Sequence, residues 1–384
     1  MTTRTPPRPK DPDDTGAHPP ERPQRTTPEG DTAAPPRIAF LDDDHVLTLV
    51  RRLLTARNTS QWQEVADFFA PDLPDMTAVR ALRSGLDPHG DASIVCRPED
   101  ADVLILRRGT ADRALLEAAP RLRMVQRLGT RSAGIDLDAA RERGIEVSCL
   151  PRPSLVRTAE HTLLLMLALV KRLPAADSAV RAGSGRPGRE VTYNWAGLSG
   201  LGGLEGRTLG IVGLGEVGSL VAERARAFGM RLLYTGRARQ PRTREEELGA
   251  SYRTLPDLLA EADIVTLHIP GPGIHAPLLG PAEIAMMRPG ALLINTGRGR
   301  LIDERALCQA LADGRLGGAG LDVHQVEPRP GGDPLCALDN VVLTPHIAGG
   351  SRLGVLDEVG QILDNVRAVL AGGTPPHGRV VGAS

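Results

Sequence analysis

A short glycine-rich segment, residues 213–218, constrains the fold of this chain more than any other feature of its sequence. It reads GLGEVG and follows an apolar run of strand length, residues 209–212. A helical pattern and a second strand-like run, residues 230–234, come after it. In such a strand–turn–helix unit the first glycine allows a tight turn, the second lets a pyrophosphate approach the backbone, and the third lets helix and strand pack closely. The pattern predicts a dinucleotide-binding unit, and a purely structural tight turn is the alternative.

Length and composition narrow the class of protein. With 384 residues, the chain can form two domains of ordinary size. Its net charge of −1 gives no basis for binding nucleic acid or a membrane surface, and its longest apolar run, residues 162–170, is too short to span a bilayer. The four cysteines contain no C-x-x-C pair, which suits a reducing cytosol and offers no metal site. We therefore expect a soluble, cytoplasmic protein without a resident metal.

Strand-like and helical segments alternate along most of the chain, which predicts parallel sheets. Residues 1–36 are the exception, because they contain ten prolines and no large apolar side chain after Met1. We predict a disordered tail there. One α/β unit begins at Arg37 and a second near Thr208, and the last helix, residues 351–371, is expected to return to the first unit. The predicted fold is α/β with two Rossmann-like domains, the nucleotide-binding domain being inserted into a flavodoxin-like substrate domain. The predicted boundaries are 1–36 for the tail, 37–152 and 346–384 for the substrate domain, and 153–345 for the nucleotide-binding domain.

A long apolar helix is predicted between the two units, over residues 154–173. Ser154 is the predicted N-cap, and Pro174 is predicted to stop the helix. From Leu163 onward the segment is apolar around most of its circumference, which is more surface than one domain face can cover. We expect it to lie at a domain or subunit boundary and to support a homodimer.

Three segments after the glycine turn place polar groups at the ends of predicted strands. Arg298 follows the run ALLINTG, Asp322 and Glu327 follow GAGL, and His346 follows VVLTP. Ligands of open α/β sheets bind at the carboxyl ends of the strands. Taken singly, each of these side chains could be an ordinary surface residue. Because they succeed one another beside a nucleotide turn, we interpret them as one active site.

These segments resemble, in order, the D-isomer-specific 2-hydroxyacid dehydrogenase family, which includes phosphoglycerate dehydrogenases and glyoxylate and hydroxypyruvate reductases. The matching segments are GLGEVG, NTGRG, GLDVHQVEP and TPHIAGG, and the resemblance covers about residues 37–370. It implies that Arg298 binds the substrate carboxylate, that His346 is the catalytic acid/base and that Glu327 is its partner. It also implies that Asp322 lies near the nicotinamide and that the long helix takes part in dimerisation.

The implied reaction is a hydride transfer between a nicotinamide and C2 of a 2-oxo acid or D-2-hydroxy acid. His346 would protonate the carbonyl oxygen as negative charge develops on it. A carboxylate from Glu327 beside the imidazole would favour the charged ring near neutral pH. The planar guanidinium of Arg298 can hold a carboxylate through two parallel hydrogen bonds.

A segment of the first unit, RLGTRSAGID, is similar to the substrate loop of the family. Gly129 and Thr130 match the family pattern, and we expect the backbone N–H groups of the loop to reach the substrate carboxylate. Arg131 stands where the family has a glycine. It would either contact a second anion or point outward into solvent, so the identity of the substrate stays open.

The cofactor prediction rests on the end of the second strand of the nucleotide unit. NAD-selective enzymes carry a carboxylate there that binds the ribose, whereas this chain continues from Thr235 with Gly236 and Arg237. Arg237, with Arg239 as a second candidate, could pair with the 2′-phosphate of NADP, as in similar reductases of the family; the alternative is an ordinary surface arginine. We predict NADP(H) as the preferred cofactor and NAD(H) as the other possibility. The predicted cofactor contacts are Gly213, Gly215, Glu216, Val217, Gly218, Thr235, Arg237, Thr296, Asp322 and Gly349, and the predicted substrate contacts are Gly129, Thr130, Arg131 and Arg298.

Two other functions stay open at this point. The same fold can serve as a non-catalytic, nucleotide-sensing regulator, which the proline-rich tail favours and the presence of Arg298, Glu327 and His346 disfavours. A phosphite-type dehydrogenase is the second, whereas a formate enzyme is disfavoured because such enzymes usually carry Gln in place of Glu327. In each case we expect a small-molecule ligand, without nucleic acid or membrane partners.

Overall fold

The structure is a computed structural model that describes residues 36–42, 45–55, 59–84, 93–183, 198–270 and 276–381. Except for Pro36, the predicted tail lies outside the described residues. The strands are β1 (Arg37–Phe40), β2 (Ser93–Ile94), β3 (Val103–Leu106), β4 (Met124–Leu128), β5 (Glu146–Leu150), β6 (Thr208–Val212), β7 (Arg231–Thr235), β8 (Ala250–Tyr252), β9 (Ile264–Leu267), β10 (Leu292–Asn295), β11 (Gly318–Leu321), β12 (Val341–Leu343) and β13 (Arg379–Val381). The helices are α1 (His45–Thr55), α2 (Thr59–Phe69), α3 (Thr77–Ser84), α4 (Arg113–Ala118), α5 (Leu137–Glu142), α6 (Pro153–Val170), α7 (Leu173–Arg181), α8 (Glu216–Ala227), α9 (Arg242–Leu248), α10 (Leu255–Glu261), α11 (Pro281–Met286), α12 (Glu304–Ala312) and α13 (Arg352–Leu370).

The strands form two sheets, and each sheet takes most of its strands from one stretch of the chain. The first has the order β13-β5-β4-β3-β1-β2 and the second the order β12-β11-β10-β9-β6-β7-β8. Neighbouring strands are parallel except at β13, which is antiparallel to β5. This architecture confirms the predicted α/β class with two Rossmann-like domains. In the second sheet the strand order reverses beside β6, and ligands bind at such a switch point.

The C-terminal elements belong to the first sheet. Helix α13 packs against β4 and β5, and β13 adds a last strand to the edge of that sheet. Apolar side chains of α13 share a core with β1, β3 and helices α1 to α3, namely Val359, Ile362, Leu363, Val366 and Val369. The chain thus leaves the first sheet after β5, forms the second sheet, and comes back.

The predicted apolar helix, residues 154–173, corresponds to α6, which ends at Val170, and its last predicted residue, Leu173, begins a second helix, α7. Ser154 is not the N-cap of α6, because Pro153 takes a first-turn position and Arg152 is the capping residue. Proline suits that turn, where its missing N–H has no helical partner. Pro174 likewise lies in the first turn of α7 instead of stopping a helix. The break falls at Arg172, whose φ of 48° lies in the left-handed region and cannot continue a helix.

Helix α6 is long and apolar enough, by length and composition, to cross a membrane, but core helices of globular proteins meet the same criteria. Here it packs against α8, β10 and β11. Its inward side chains, including Leu163, Leu165 and Met166, join the core on one face of the second sheet. The structure therefore shows α6 as a core helix.

The three glycines of the turn after β6 have different surroundings. Gly213 has a φ of 98°, and a Cβ there would lie 2.8 Å from the carbonyl oxygen of His268. A Cβ at Gly218 would lie 2.1 Å from the carbonyl oxygen of Gly213, so only glycine lets α8 start this close to the strand. Around Gly215 no atom of the described residues lies within 4 Å of an added Cβ. The open side of the turn is therefore at Gly215, at the N-terminus of α8, where a pyrophosphate is best bound.

These constraints predict opposite results for two alanine substitutions. Gly218→Ala is expected to lower the free energy of unfolding by about 1–3 kcal/mol, because the added methyl overlaps the backbone. Gly215→Ala is the matched control: it should leave stability within about 1 kcal/mol of the parent protein. It should instead weaken nucleotide binding, because its methyl occupies the open side of the turn. Urea unfolding and a fluorescence titration with NADPH measure the two effects, and equal stability loss in both variants would contradict this assignment.

Candidate active site

The predicted site residues lie at the carboxyl ends of adjacent strands. Arg298 follows β10, Asp322 and Glu327 follow β11, and His346 follows β12. Strands β10, β11 and β12 are neighbours in the second sheet and run parallel. Their ends therefore meet at the same edge as the glycine turn.

His346 and Glu327 form a hydrogen-bonded pair. The Nδ1 atom of His346 lies 2.7 Å from Oε2 of Glu327. The other carboxylate oxygen, Oε1, accepts a hydrogen bond of 2.9 Å from the backbone N–H of His324. The His346 side chain is 49% exposed, so with Nδ1 on the carboxylate its Nε2 atom is the one that a ligand can reach.

The surroundings of Glu327 keep its carboxylate charged. Partial burial opposes ionisation, but the hydrogen bonds from His346 and from the His324 amide outweigh it and lower the pKa of Glu327. A charged carboxylate accepts the Nδ1 proton of His346 and fixes the orientation of the ring. The pair is thus arranged for proton transfer at Nε2.

The turn that carries His346 is fixed by the buried carboxylate of Asp322. That carboxylate accepts hydrogen bonds from the Thr344 hydroxyl (2.6 Å), the Ile347 amide (2.8 Å) and the Ala348 amide (2.9 Å). His346 itself has a φ of 56°, a conformation that costs energy for a residue with a Cβ. The hydrogen bonds on either side hold it there. The predicted contact between Asp322 and the nicotinamide stays a prediction. In the structure this carboxylate is fully buried.

A second histidine, His324, which the sequence interpretation missed, is hydrogen-bonded to the segments that carry the pair. The Nε2 atom of His324 lies 3.0 Å from the carbonyl oxygen of Thr344, and its Nδ1 lies 3.1 Å from Nε of Arg329. A carbonyl only accepts and a guanidinium only donates, so Nε2 faces an acceptor and Nδ1 faces a donor. The available signal was its place in GLDVHQVEP, three residues after the end of β11.

Arg298 is held by its own backbone turn. Its carbonyl oxygen accepts a hydrogen bond of 2.8 Å from the side chain of Asn295, and its Nη1 donates to the carbonyl of Gly297 at 2.6 Å. Burial, followed by the positive charge of Arg108, lowers the pKa of Arg298. A guanidinium in this setting is poorly solvated, which strengthens its interaction with an anion.

Arg298 belongs to a group of arginines that the sequence interpretation did not assemble, referred to below as the arginine cluster: Arg107, Arg108, Arg152 and Arg298. Arg107 and Arg108 follow β3, and Arg152 precedes α6. Burial, then the charges of Arg152, Arg108 and Arg298, lowers the pKa of Arg107 to about 9. The positive charges of the four side chains therefore act on one another, although the residues follow three different strands, β3, β5 and β10. The sequence signal was the Arg-Arg pair directly after the buried strand VLIL.

Two carboxylates fix the arginine cluster in place. One oxygen of Asp42 accepts hydrogen bonds from the backbone N–H groups of Arg107, Arg108 and Gly109, at 2.9, 3.0 and 2.9 Å. Glu358 of α13 lies 3.3 Å from Nε of Arg152, and both side chains are almost completely buried. The first contact positions the loop after β3, and the second joins α13 to the start of α6.

The predicted substrate loop is tied to the nucleotide unit. The Thr130 amide and hydroxyl both donate to Oε1 of Glu216, at 3.0 and 2.9 Å. The predicted cofactor contact of Glu216 stays a prediction; in the structure its carboxylate, at the first position of α8, bonds to this loop. Gly129 has a φ of 135°, which turns the Thr130 amide toward the carboxylate. Arg131 is exposed, which favours its outward-pointing alternative.

The remaining predicted cofactor contacts lie around the glycine turn. The Thr235 carbonyl accepts from the Gly213 amide at 2.9 Å, which joins the end of β7 to the turn. Thr296 bonds through its hydroxyl to Thr162 of α6 at 3.0 Å. Gly349 also lies against α6. Val217 is partly buried against the core that α6 forms with the second sheet, and Arg237 is exposed. These positions fit a dinucleotide lying along the strand ends, although the contacts themselves stay predictions.

Arg239, the second candidate for the 2′-phosphate, is engaged elsewhere. Its Nε and Nη2 atoms donate to the two carboxylate oxygens of Glu245, at 2.9 and 2.8 Å. This bidentate ion pair leaves its guanidinium fork committed to Glu245. The hypothesis that Arg239 contacts the phosphate is therefore not supported by the geometry.

Known proteins resemble this chain along most of its length. The pattern of the D-isomer specific 2-hydroxyacid dehydrogenase NAD-binding domain matches residues 163–348. A glyoxylate reductase of Aeropyrum pernix is 40% identical over 74% of this chain and 84% of its own length. A D-3-phosphoglycerate dehydrogenase of Mycobacterium tuberculosis is 37% identical over 83% of this chain, which spans 58% of that longer protein. The solved NADPH-dependent glyoxylate/hydroxypyruvate reductase of Sinorhizobium meliloti has a TM-score of 0.51 and 26% identity, covering 90% of this chain and 97% of its own.

The lowered pKa of Glu327 predicts how stability depends on pH. Glu327→Gln keeps the shape of the protonated side chain but cannot ionise. Because the folded-state pKa is depressed, the carboxylate stabilises the protein above the unfolded value of about 4.3, and this contribution is lost as the pH falls through the folded value. Urea unfolding from pH 7 to pH 3 should therefore show a stability difference between parent and variant that closes at the acid end. A difference that is independent of pH would contradict the charged pair.

Proposed function

The chain belongs to the D-isomer-specific 2-hydroxyacid dehydrogenase family, and we propose that it interconverts a 2-oxo acid and the corresponding D-2-hydroxy acid with NADP(H). The pairing of His346 with Glu327, on a turn beside Arg298, is the observation that carries this proposal. An acid/base, a carboxylate that orients it and a cation for the substrate carboxylate together match the needs of the reaction. The assignment of the chain as a nicotinamide-dependent oxidoreductase follows from the similarity to this family over most of the chain.

The side chains of the site divide the work of the reaction. When bound, the nicotinamide supplies the hydride for reduction or accepts it for oxidation. Arg298 would hold the substrate carboxylate and so fix the direction in which C2 faces. Nε2 of His346 would give its proton to the carbonyl oxygen. Glu327 would accept the hydrogen bond from Nδ1 and stabilise the positive charge of the ring. In the oxidative direction the same Nε2 would accept the hydroxyl proton.

For the substrate we propose a 2-oxo acid that carries a second anionic group, a phosphate or a carboxylate. The charge of Arg108 acts on Arg298 within the arginine cluster, so a substrate carboxylate on Arg298 leaves the charge of Arg108 for a second anionic group. Glu358 is paired with Arg152, and Glu327 is paired with His346. Arginine also suits both candidate groups, because its fork matches phosphate and carboxylate geometry. A curated relative that acts on a phosphorylated hydroxy acid agrees with this class.

For the cofactor we propose NADP(H) in preference to NAD(H). Within the described residues, no carboxylate follows β7 before Glu245, which is occupied by Arg239. Arg237 lies exposed directly after the strand end, where a 2′-phosphate would need a cation. The similar reductase of Sinorhizobium meliloti is described as NADPH-dependent.

We also propose a homodimer formed over α6 and α7. Three large apolar side chains of these helices are exposed, Leu164 (49%), Leu173 (52%) and Val180 (81%). Contiguous exposed apolar patches mark protein interfaces, and we assign these three side chains to one such patch. Sedimentation equilibrium at micromolar concentration tests the proposal, and a monomer would overturn it.

The reaction and the substrate class can be tested in one panel. Glyoxylate, hydroxypyruvate, phosphohydroxypyruvate, oxaloacetate and phosphite are assayed with both cofactors. We expect kcat/KM to be highest for a dianionic 2-oxo acid. Arg108→Ala should remove the preference for dianions, whereas Arg131→Ala, on the outward-facing loop residue, should not.

The acid/base role is tested by His346→Ala, which we expect to lower turnover by about two to four orders of magnitude while NADPH still binds. Normal turnover in folded His346→Ala would overturn the mechanism, and activity with phosphite alone would replace the substrate class.

The cofactor preference is tested by comparing kcat/KM for NADPH and NADH in the parent protein and in Arg237→Ala. We expect the parent to favour NADPH and the variant to lose about tenfold or more of that preference, since one charge-assisted contact is removed. The loss should appear in KM for NADPH and leave NADH unchanged. A parent that favours NADH, or a variant with unaltered preference, would overturn this assignment.

A further inference from the structure

The segment after β7 contains four arginines, of which three are paired with carboxylates. Arg239 pairs with Glu245 at 2.8 Å, and Arg242 pairs with Glu246 at 2.8 Å. Arg244 pairs with Glu247 at 3.0 Å. Within the described part of the chain, the fourth residue, Arg237, makes no such ion pair. The local charge is therefore matched everywhere except at the position proposed to meet the 2′-phosphate.

The pair nearest to Arg237 is part of a closed hydrogen-bonded group, here called the Tyr234 cluster: Tyr234, Arg239, Gln240 and Glu245. The Tyr234 hydroxyl donates to Oε1 of Glu245 at 2.6 Å and accepts from the Gln240 amide at 2.8 Å. Tyr234 is fully buried in β7, and the Glu245 side chain is only 9% exposed. Hydrogen bonds from Arg239, and then from Tyr234, lower the pKa of Glu245 to about 2, so its charge persists at all working pH values.

The short loop that carries Arg237 is fixed at both ends, by the glycine turn at one end and by the Tyr234 cluster at the other. At one end Thr235 is tied to the glycine turn through the Gly213 amide, at 2.9 Å. At the other end Arg239 and Gln240 are tied back to Glu245 and Tyr234. Only residues 236–238 lie between the two anchors. A loop held in this way loses little conformational entropy when a ligand binds to it, which increases affinity.

The cluster also removes a negative charge that would work against the phosphate. An uncompensated carboxylate near the end of β7 favours ribose hydroxyls and repels a 2′-phosphate. The guanidinium of Arg239 covers both oxygens of Glu245, so this carboxylate does not act as a ribose ligand. Arg239 thus neutralises Glu245, while Glu245 keeps Arg239 out of the phosphate site.

We infer that Glu245 is a positioning residue for cofactor choice: through Arg239 and Tyr234 it holds the Arg237 loop in the conformation that receives a 2′-phosphate. The inference rests on the proposed NADP(H) preference and adds a residue that makes no cofactor contact of its own. It assigns Arg237 to the ligand, and the Tyr234 cluster to the shape of the loop.

The test compares Glu245→Gln with a matched control, Glu246→Gln, on the same helix. Glu246 pairs with Arg242 in solvent, where both side chains are more than half exposed. Binding of 2′,5′-ADP and of 5′-AMP is measured by calorimetry, alongside KM and kcat with NADPH and NADH. We expect Glu245→Gln to weaken 2′,5′-ADP binding and raise KM for NADPH by about five- to tenfold, with 5′-AMP, NADH and kcat within twofold. Glu246→Gln should match the parent throughout.

Two further variants make the result specific to the loop. In the double variant Arg237→Ala with Glu245→Gln, the loss should be no greater than in Arg237→Ala alone, because both act on one contact. Tyr234→Phe keeps the ring and removes only the hydroxyl, so it replaces Glu245→Gln if that variant fails to fold; its NADPH-specific loss should be smaller. Tighter 2′,5′-ADP binding in Glu245→Gln would show that Arg239 had been withheld from the site, and equal losses for both cofactors would show a general structural role. Either outcome, or no change, overturns the inference, while a parent that prefers NADPH leaves the proposed function standing.

Discussion

The carboxylate of Asp322 is the group on which the active-site geometry depends. It is completely buried at the end of β11, and its oxygens accept from Thr344, Ile347 and Ala348. Breaking a buried hydrogen-bonded charge of this kind is costly, because the remaining donors lose their partner in a poorly solvated place. Those donors lie on both sides of His346, so the strained backbone at φ 56° is held by a fully buried group. The short distance between His346 and Glu327 is a consequence of that turn.

A charged contact joins the two domains near the strand ends, because Glu216 at the start of α8 accepts both hydrogen bonds from Thr130 of the first domain. A second contact, Glu358 of α13 against Arg152, holds the last helix at the point where the chain leaves the first domain for α6. Glu216 thereby places the predicted substrate loop beside the N-terminus of α8, where a pyrophosphate is best bound.

Sequence reasoning found those features that depend on local chain geometry. The roles of Gly213 and Gly218 follow from a tight turn and a close helix start, and the strand ends that carry Arg298, Glu327 and His346 follow from the alternation of apolar runs. It missed features that require side chains from distant segments to meet. The arginine cluster joins residues after β3, before α6 and after β10, and nothing in the spacing of those residues reveals their proximity. The break at Arg172 was missed for another reason: a proline was taken as a stop signal, although the first turn of a helix accommodates it.

Arginine is abundant in this chain, and what distinguishes one arginine from another is whether the protein already supplies its counter-charge. Arg329 lies between Glu304 and Asp333 and donates to His324, so its charge serves the fold behind the catalytic pair. Arg239 is matched by Glu245 in the same way. Among the described residues, Arg237, Arg108 and Arg298 make no ion pair with a carboxylate, and they lie at the strand ends where ligands of this fold bind. Leaving a guanidinium unmatched costs stability unless it is solvated or meets an anion, so the unmatched positions mark where anionic ligands are expected. We therefore expect one anion at the end of β7 and another beside Arg298, on opposite sides of the glycine turn, as a phosphorylated dinucleotide and an acidic substrate would require.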